Sequence, residues 1–275
     1  MIQLTGFADE ISPELEVQID VLQSEKIKHV EFRGVWGKNV LKLTDQELEQ
    51  IKKTFDQNGI SVSSIGSPIG KINITDDFEQ HLKDFDRAVE IAEFFHSPYI
   101  RIFSFFIPEG EDPMDYREEV LFRMKALTER VEGTDIVLLH ENEKEIYGDT
   151  TERCQEILEY VNSPHLRCAF DPANFVQCGI KPYTEAYSKL LPFIEYLHIK
   201  DARFEDGKVV PAGKGDGEVR EILSALKSNG YNGFMSLEPH LMAAEKFQGF
   251  SGPELFKVAT GALKTILAET EWEWI

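Results

Sequence analysis

Arg167-Cys168-Ala169-Phe170-Asp171-Pro172-Ala173-Asn174 is a short apolar run that stops at an acidic residue and a proline. A run this short, bounded by turn chemistry, suits a buried strand better than a helix, which needs ten residues or more. The pattern recurs on both sides. Before it, Ile136 to Leu139 runs into His140-Glu141-Asn142-Glu143. After it, Ile194 to Leu197 runs into His198-Ile199-Lys200-Asp201, and Gly233 to Leu237 into Glu238-Pro239-His240. Toward the N-terminus the same kind of segment appears at Ile2 to Phe7, Lys28 to Phe32, Ile60 to Ile65 and Tyr99 to Phe103. With starts at 2, 28, 60, 99, 136, 167, 194 and 233, every interval has room for one helix. Such a series of βα units over about 250 residues predicts an α/β fold, a single-domain (β/α)8 TIM barrel. An open doubly wound sheet shares the alternation, but no G-x-G-x-x-G follows the first strand. Gly213, Gly215 and Gly217 alternate late in a polar loop, where a lone glycine cluster is weak evidence for phosphate binding.

Helix signals fall in the intervals. Ser12-Pro13-Glu14 offers an N-cap, a proline at the first helical position and an acid in the first turn, ahead of Leu15, Ile19 and Leu22. Thr44-Asp45-Gln46-Glu47 reads as a capping box whose helix ends at Asn58-Gly59. Phe78, Leu82, Phe85, Val89 and Ala92 keep helical period. Ser251-Gly252-Pro253-Glu254 reads as a second capping box, opening a last helix through Leu255, Val258, Leu263 and Leu267.

The 275 residues are 42% hydrophobic and 28% charged, enough apolar side chain for a sizeable core, and no linker or low-complexity tract divides them. The net charge of −20 weighs against nucleic acid and anionic membrane surfaces as partners. Cys154, Cys168 and Cys178 show no C-x-x-C spacing, so neither a disulfide framework nor a thiolate zinc cage is implied, and the expected compartment is the cytoplasm. Met1-Ile2-Gln3-Leu4-Thr5 lacks the basic and apolar regions of an export signal, and no run approaches the roughly 18 apolar residues of a membrane span.

In a barrel, reactive residues stand at the C-terminal ends of the strands. The last four strands each end in a metal-ligand type: Glu141, Asp171, His198 and Glu238. Brought together at one mouth, three carboxylates would repel one another unless a cation sat between them. Three carboxylates and an imidazole suit one divalent metal ion, Mn²⁺ first, with Mg²⁺, Co²⁺, Zn²⁺ or Fe²⁺ as alternatives.

These residues give the chain a resemblance, over nearly its whole length, to the sugar phosphate isomerase/epimerase group of xylose-isomerase-like TIM barrels. The matching strings are Phe7-Ala8-Asp9-Glu10, His29-Val30-Glu31-Phe32-Arg33, Glu141-Asn142, Phe170-Asp171-Pro172-Ala173-Asn174, Leu197-His198-Ile199-Lys200-Asp201 and Ser236-Leu237-Glu238. The group includes ketose 3-epimerases, hydroxypyruvate isomerase and inosose dehydratase, with endonuclease IV more distant. The resemblance implies that Glu141, Asp171, His198 and Glu238 hold one metal. It also implies that Glu141 and Glu238 flank the substrate, one taking a proton beside a metal-bound carbonyl and the other returning it through an enediolate. Two departures weigh against a tagatose- or psicose-like substrate: Asn174 stands where the epimerases carry a histidine, and Glu143 where related branches often do. Seven histidines and the negative charge argue against an endonuclease IV-like trinuclear zinc site.

Glu31, Arg101, Asn174, Lys200, Arg203 and His240 are expected substrate contacts, with Arg33 and Lys214 as further cations near the mouth. Phe7, Trp36, Phe103, Phe105 and Phe175 are candidates for an apolar wall against one sugar face. The acidic tail at 269–275, with Trp272 and Trp274, has the character of a docking segment, on a neighbouring subunit of a homo-oligomer or on its own barrel. The expected activity is a divalent-metal-dependent isomerase or epimerase of a small sugar, sugar acid or sugar phosphate. An inosose-dehydratase-like lyase and a non-catalytic sugar-binding barrel are the alternatives.

Overall fold

The computed structural model describes residues 1–241 and 251–275. All eight predicted segments carry a strand: β1 (Gln3–Gly6), β2 (His29–Phe32), β3 (Ser61–Ile65), β4 (Tyr99–Ile102), β5 (Val137–Glu141), β6 (Leu166–Phe170), β7 (Ile194–Ile199) and β8 (Phe234–Leu237). They form one parallel sheet in the order β1-β8-β7-β6-β5-β4-β3-β2, and β1 and β2, the two ends of that order, lie against each other. The result is a nearly closed eight-stranded barrel, a single-domain TIM barrel. Two strands run further than their apolar residues suggest, β5 through Glu141 and β7 through Ile199, because backbone pairing continues past the point where the side chains turn polar.

The helices between the strands are α1 (Leu15–Ser24), α2 (Asp45–Asn58), α3 (Phe78–Phe95), α4 (Arg117–Glu129), α5 (Thr151–Val161), α6 (Pro172–Gln177), α7 (Ser188–Leu190), α8 (Val219–Ser228) and α9 (Gly252–Glu269). The Thr44 capping box is present: the Glu47 amide donates to Thr44 Oγ1 at 3.3 Å and the Thr44 amide to Glu47 Oε2 at 2.8 Å. α2 stops at Gly59 in the left-handed region, φ +64°. Two caps differ from expectation. α1 starts at Leu15 with Glu14 as the extended N-cap residue, because Ser12 spends its hydroxyl on the Glu14 amide two residues ahead. Ser251 has helical dihedrals and makes no cap. Its hydroxyl accepts the Leu241 amide at 3.0 Å and donates to Glu10 Oε2 at 3.1 Å, tying the start of α9 to the first strand's loop.

The main core lies between strands and helices. A second, inner layer fills the barrel itself: Leu139, Ala169 and Tyr196, with Tyr99 and Phe234 packed against them. Polar groups inside the barrel pair with one another, Thr5 and Tyr196 hydroxyls each meeting Ser63 Oγ at 2.8 and 2.9 Å. The C-terminal tail docks on its own barrel. Ile2 and Leu4 donate backbone bonds to Glu273 and Ile275, and the Ile275 amide returns one to Ile2. Alternate amides of a strand point to opposite edges, and the Gln3 amide goes to Gly233 beside β8, so the tail covers the edge of β1 that faces away from β8.

Candidate metal centre

Strand periodicity builds the site directly above the inner layer. Side chains two residues apart share a face, so Leu139, Ala169 and Tyr196 place Glu141, Asp171 and His198 one step higher in the same interior. Glu238 follows the last residue of β8. One donor atom from each of these four buried residues lies within 4.8 Å of the others. His198 Nδ1 is 3.1 Å from Glu141 Oε1, 3.9 Å from Asp171 Oδ2 and 4.0 Å from Glu238 Oε2. Asp171 is also the N-cap of α6, its Oδ1 accepting the Asn174 amide at 2.8 Å, which leaves Oδ2 turned to the cluster.

The cluster fits a metal ion on its own terms. Glu141 Oε2, Asp171 Oδ2 and His198 Nδ1 are buried without a hydrogen bond of good geometry, and an unsatisfied buried polar atom costs about 1–3 kcal/mol. Carboxylate oxygens and one imidazole nitrogen are the donor set of a hard or intermediate divalent cation. Glu31 completes the arrangement from below. Its Oε2 sits 3.2 Å from His198 Nε2 and is held by Ser236 Oγ at 2.6 Å. With a metal bound, a carboxylate behind one ring nitrogen would keep the proton there and leave the lone pair of the other for the ion. Glu31, an expected substrate contact, is fully buried and lies against His198 Nε2.

Cations surround the four clustered side chains. Arg101 Nη1 lies 3.2 Å from Glu141 Oε2, and Lys200 Nζ lies 3.0 Å from Asp171 Oδ2 and 2.9 Å from Glu238 Oε2. Arg33 bridges Asp9, Glu10 and Glu238 at 2.7, 2.9 and 3.1 Å. Burial works against ionising Glu141, but His198 and Arg101 outweigh it and hold the carboxyl down to about 2. For Glu238 burial is likewise outweighed, by Lys200, His240, His198 and Arg33, and the carboxyl stays well below its usual range. Burial wins at Asp171, pushing it up to about 6 although Lys200 opposes the change. Burial would lower the His198 imidazole, yet Glu141 and Glu31 at its two nitrogens carry it well above 6.5.

Above the cluster opens a cavity of about 390 Å³, and Arg101, Asn174, Lys200, Glu238 and His240 all line it. Asn174 Nδ2 donates to Glu141 Oε1 at 3.1 Å and to the Asn142 carbonyl at 2.9 Å. His240 stands at the rim, 39% exposed, its Nδ1 3.4 Å from Glu10 Oε1 and 3.7 Å from Glu238 Oε1. Arg203 does not join them. It is 42% exposed, pairs with Asp206 Oδ2 at 2.8 Å and lies outside the cavity lining, because the short ribbon Asp201–Ala202 with Val209–Val210 carries it away.

Of the five aromatic candidates, Phe7 and Phe103 reach the site. Phe7 meets the His198 ring edge-on at 5.4 Å, and Phe103 lies under Arg101 and Lys71. Phe105 packs on Phe78 and His81, Phe175 packs on Phe170, and Trp36 is half-buried against the core. The glycine loop is occupied by the protein itself. Gly213 and Gly215 amides donate to Asp201 Oδ2 at 2.8 and 2.9 Å and Gly217 to Oδ1 at 2.8 Å, so a buried carboxylate sits where a phosphate would have to bind. Sequence reading also missed Asn142, whose side chain clamps the backbone of Asp171 in both directions at 2.9 Å, and Lys71 on the loop after β3. Asn142 adjoins a strand-end ligand and was findable on that ground, whereas nothing local marks Lys71.

The family model described as a xylose isomerase-like TIM barrel matches residues 19–260. The chain belongs to this family. A curated relative, 3-dehydroshikimate dehydratase of Bacillus anthracis, is 22% identical over 180 residues, which span 64% of this chain and 64% of that protein. Among solved structures, an IOLI protein with a bound zinc atom superposes with a TM-score of 0.80 at 17% identity, covering 98% of this chain and 99% of the other. A D-tagatose 3-epimerase-like protein superposes with a TM-score of 0.78 at 19% identity, covering 98% of each chain. These likenesses establish the barrel. Among the described residues no helix is long and apolar enough to cross a membrane.

Proposed function

We propose that this xylose isomerase-like barrel is a divalent-metal-dependent isomerase or epimerase of a small sugar or sugar-derived hydroxy-ketone. The observation that carries the reading is the convergence of Glu141, Asp171, His198 and Glu238 within 4.8 Å of one another, with Glu238 also lining a cavity. These four would hold the ion, which Mn²⁺, Mg²⁺, Co²⁺ or Zn²⁺ suits by donor type. When bound, the ion supplies Lewis acidity that makes the C–H beside a substrate carbonyl acidic. The chain's residues do the rest. Glu141 ends β5 and Glu238 follows β8, and each offers a carboxylate that can accept a proton from a carbon held between them. Asn174 and Arg101 fix the orientation of Glu141, and Lys200 with Arg33 that of Glu238. The Phe7 ring against His198 keeps water from that side of the reacting carbon.

A second reading is a dehydratase, favoured by the curated relative's name. It shares the proton abstraction but expels a β-hydroxyl instead of returning the proton. Metal-loaded protein incubated with hydroxy-ketones in deuterium oxide separates the two. Deuterium at the carbon beside the carbonyl with an epimer or isomer as product supports the first, and an ultraviolet-absorbing unsaturated ketone the second. Glu141→Gln and Glu238→Gln should each slow exchange by about 10²-fold or more. Ligand binding without exchange in any condition would leave a sugar-binding barrel in place of an enzyme.

A further inference from the structure

Three cations that line the cavity stand over two aromatic rings. Lys71 Nζ stands 4.2 Å from the centre of the Phe103 ring, and Arg101 Cζ stands 4.8 Å from the same centre. Arg101 Cζ is also 4.9 Å from the Phe7 ring, over which Arg33 Cζ stands at 4.5 Å. Ring faces attract cations, so two rings hold three positive groups. Among the described residues, Arg33, Lys71, Arg101, Lys144 and Lys200 line the cavity with the acids Glu143 and Glu238, while Asp9, Glu10, Glu141 and Asp171 pair with these bases from outside the lining. In a chain of 29 basic and 49 acidic residues, a wall where bases predominate is the reverse of what composition supplies. The row also runs into the metal-ligand group, since Arg101 touches Glu141 at 3.2 Å and Arg33 touches Glu238 at 3.1 Å. Lys71, about a third exposed, bonds Glu143 at 2.7 Å and has further ammonium protons to donate.

We infer that the substrate of this site is an anion: a hydroxy-ketone whose carboxylate or phosphate lies along the Lys71–Arg101–Arg33 row while its hydroxyl and carbonyl oxygens reach the Glu141, Asp171, His198 and Glu238 group. The inference rests on the metal-dependent reading above and narrows its substrate class. A neutral sugar gains little from a cationic wall, whereas guanidinium and ammonium groups form their strongest hydrogen bonds with carboxylate and phosphate oxygens.

The test uses the full chain loaded with Mn²⁺ and three ligands: D-fructose, D-fructose 6-phosphate and 5-keto-D-gluconate. Calorimetric titration reads affinity, and deuterium incorporation reads turnover separately. At least one anionic ligand should bind about tenfold tighter than fructose, the ratio that one charge-assisted hydrogen bond supplies, and the preference should shrink as salt is raised. Lys71→Met should remove most of the preference, and Lys71→Arg should restore it. Preference for the phosphate over the carboxylate ligand, or the reverse, identifies which anion the row accepts. Equal binding of all three, no binding of either anion, or a preference untouched by Lys71→Met would overturn the inference. Exchange with fructose alone would do so while leaving the metal-dependent reading intact. Anion binding that depends on Lys71 but shows no exchange would keep the inference and remove that reading.

Discussion

Glu31 lies against His198 Nε2, while Nδ1 faces Glu141, Asp171 and Glu238. Glu31→Gln keeps the shape but loses the charge behind Nε2, and metal affinity should fall by about tenfold or more. Titration with Mn²⁺ or Zn²⁺ checks this, and unchanged affinity would make Glu31 a packing residue only. His81 gives a pH-dependent counterpart away from the site. Its Nε2 accepts the Gly70 amide at 2.8 Å, and burial is the main cause that lowers its pKa below 6.5. The unfolded chain therefore takes up the proton first. The stability His81 contributes is complete above pH about 6.5 and is lost as pH falls through that value toward the lower folded-state pKa. In His81→Gln, which keeps an acceptor but does not titrate, the urea midpoint should drop less between about pH 7 and 5 than in the parent. Equal slopes would show that Gly70 does not depend on a neutral imidazole. Neither residue's role was readable locally, since each is defined by an atom from a distant strand or loop.

At the scale of elements, β6 and β7 show why the site was legible. A strand that ends in an acid or histidine at a barrel's C-terminal mouth has one interior to point into, and neighbouring strands share it. The loop after β7 is different, because Asp201 organises it through contacts with residues far along the chain. Its carboxylate accepts the amides of Ala202, Gly213, Gly215 and Gly217. Asp201→Ala would leave those donors unpaired at about 1–3 kcal/mol each where water does not replace the acceptor. Limited proteolysis should then cut between residues 203 and 216 in the variant but not in the parent, and equal resistance would show that the loop holds itself. The same clamp explains Arg203. Ordered into a ribbon, the loop carries that side chain to solvent and Asp206, so nearness in sequence to His198 did not become nearness in space.

For the whole molecule, the tail is the clearest case of long-range assembly. Removing residues 271–275 would take away the acceptors of the Ile2 and Leu4 amides and expose Ile2, which is fully buried. The melting temperature should fall by several degrees, about 2–4 °C for each kcal/mol lost, and scanning calorimetry of the truncated chain reads it. A melting temperature unchanged on truncation would show that the exposed edge of β1 needs no cover. From the sequence the tail's choice between its own barrel and a neighbour stayed open, because docking depends on an edge that exists only once the sheet has formed. Period-two alternation and turn chemistry are local, so the sequence alone carries the number of strands, their order along the chain and the residue types at the four strand ends. Which polar groups meet is settled by folding alone: Glu31 under His198, Lys71 and Arg33 over the Phe103 and Phe7 rings, Arg203 outside. Those outcomes follow from closing the barrel, which sets every interior side chain against strands that lie tens to hundreds of residues away in the chain.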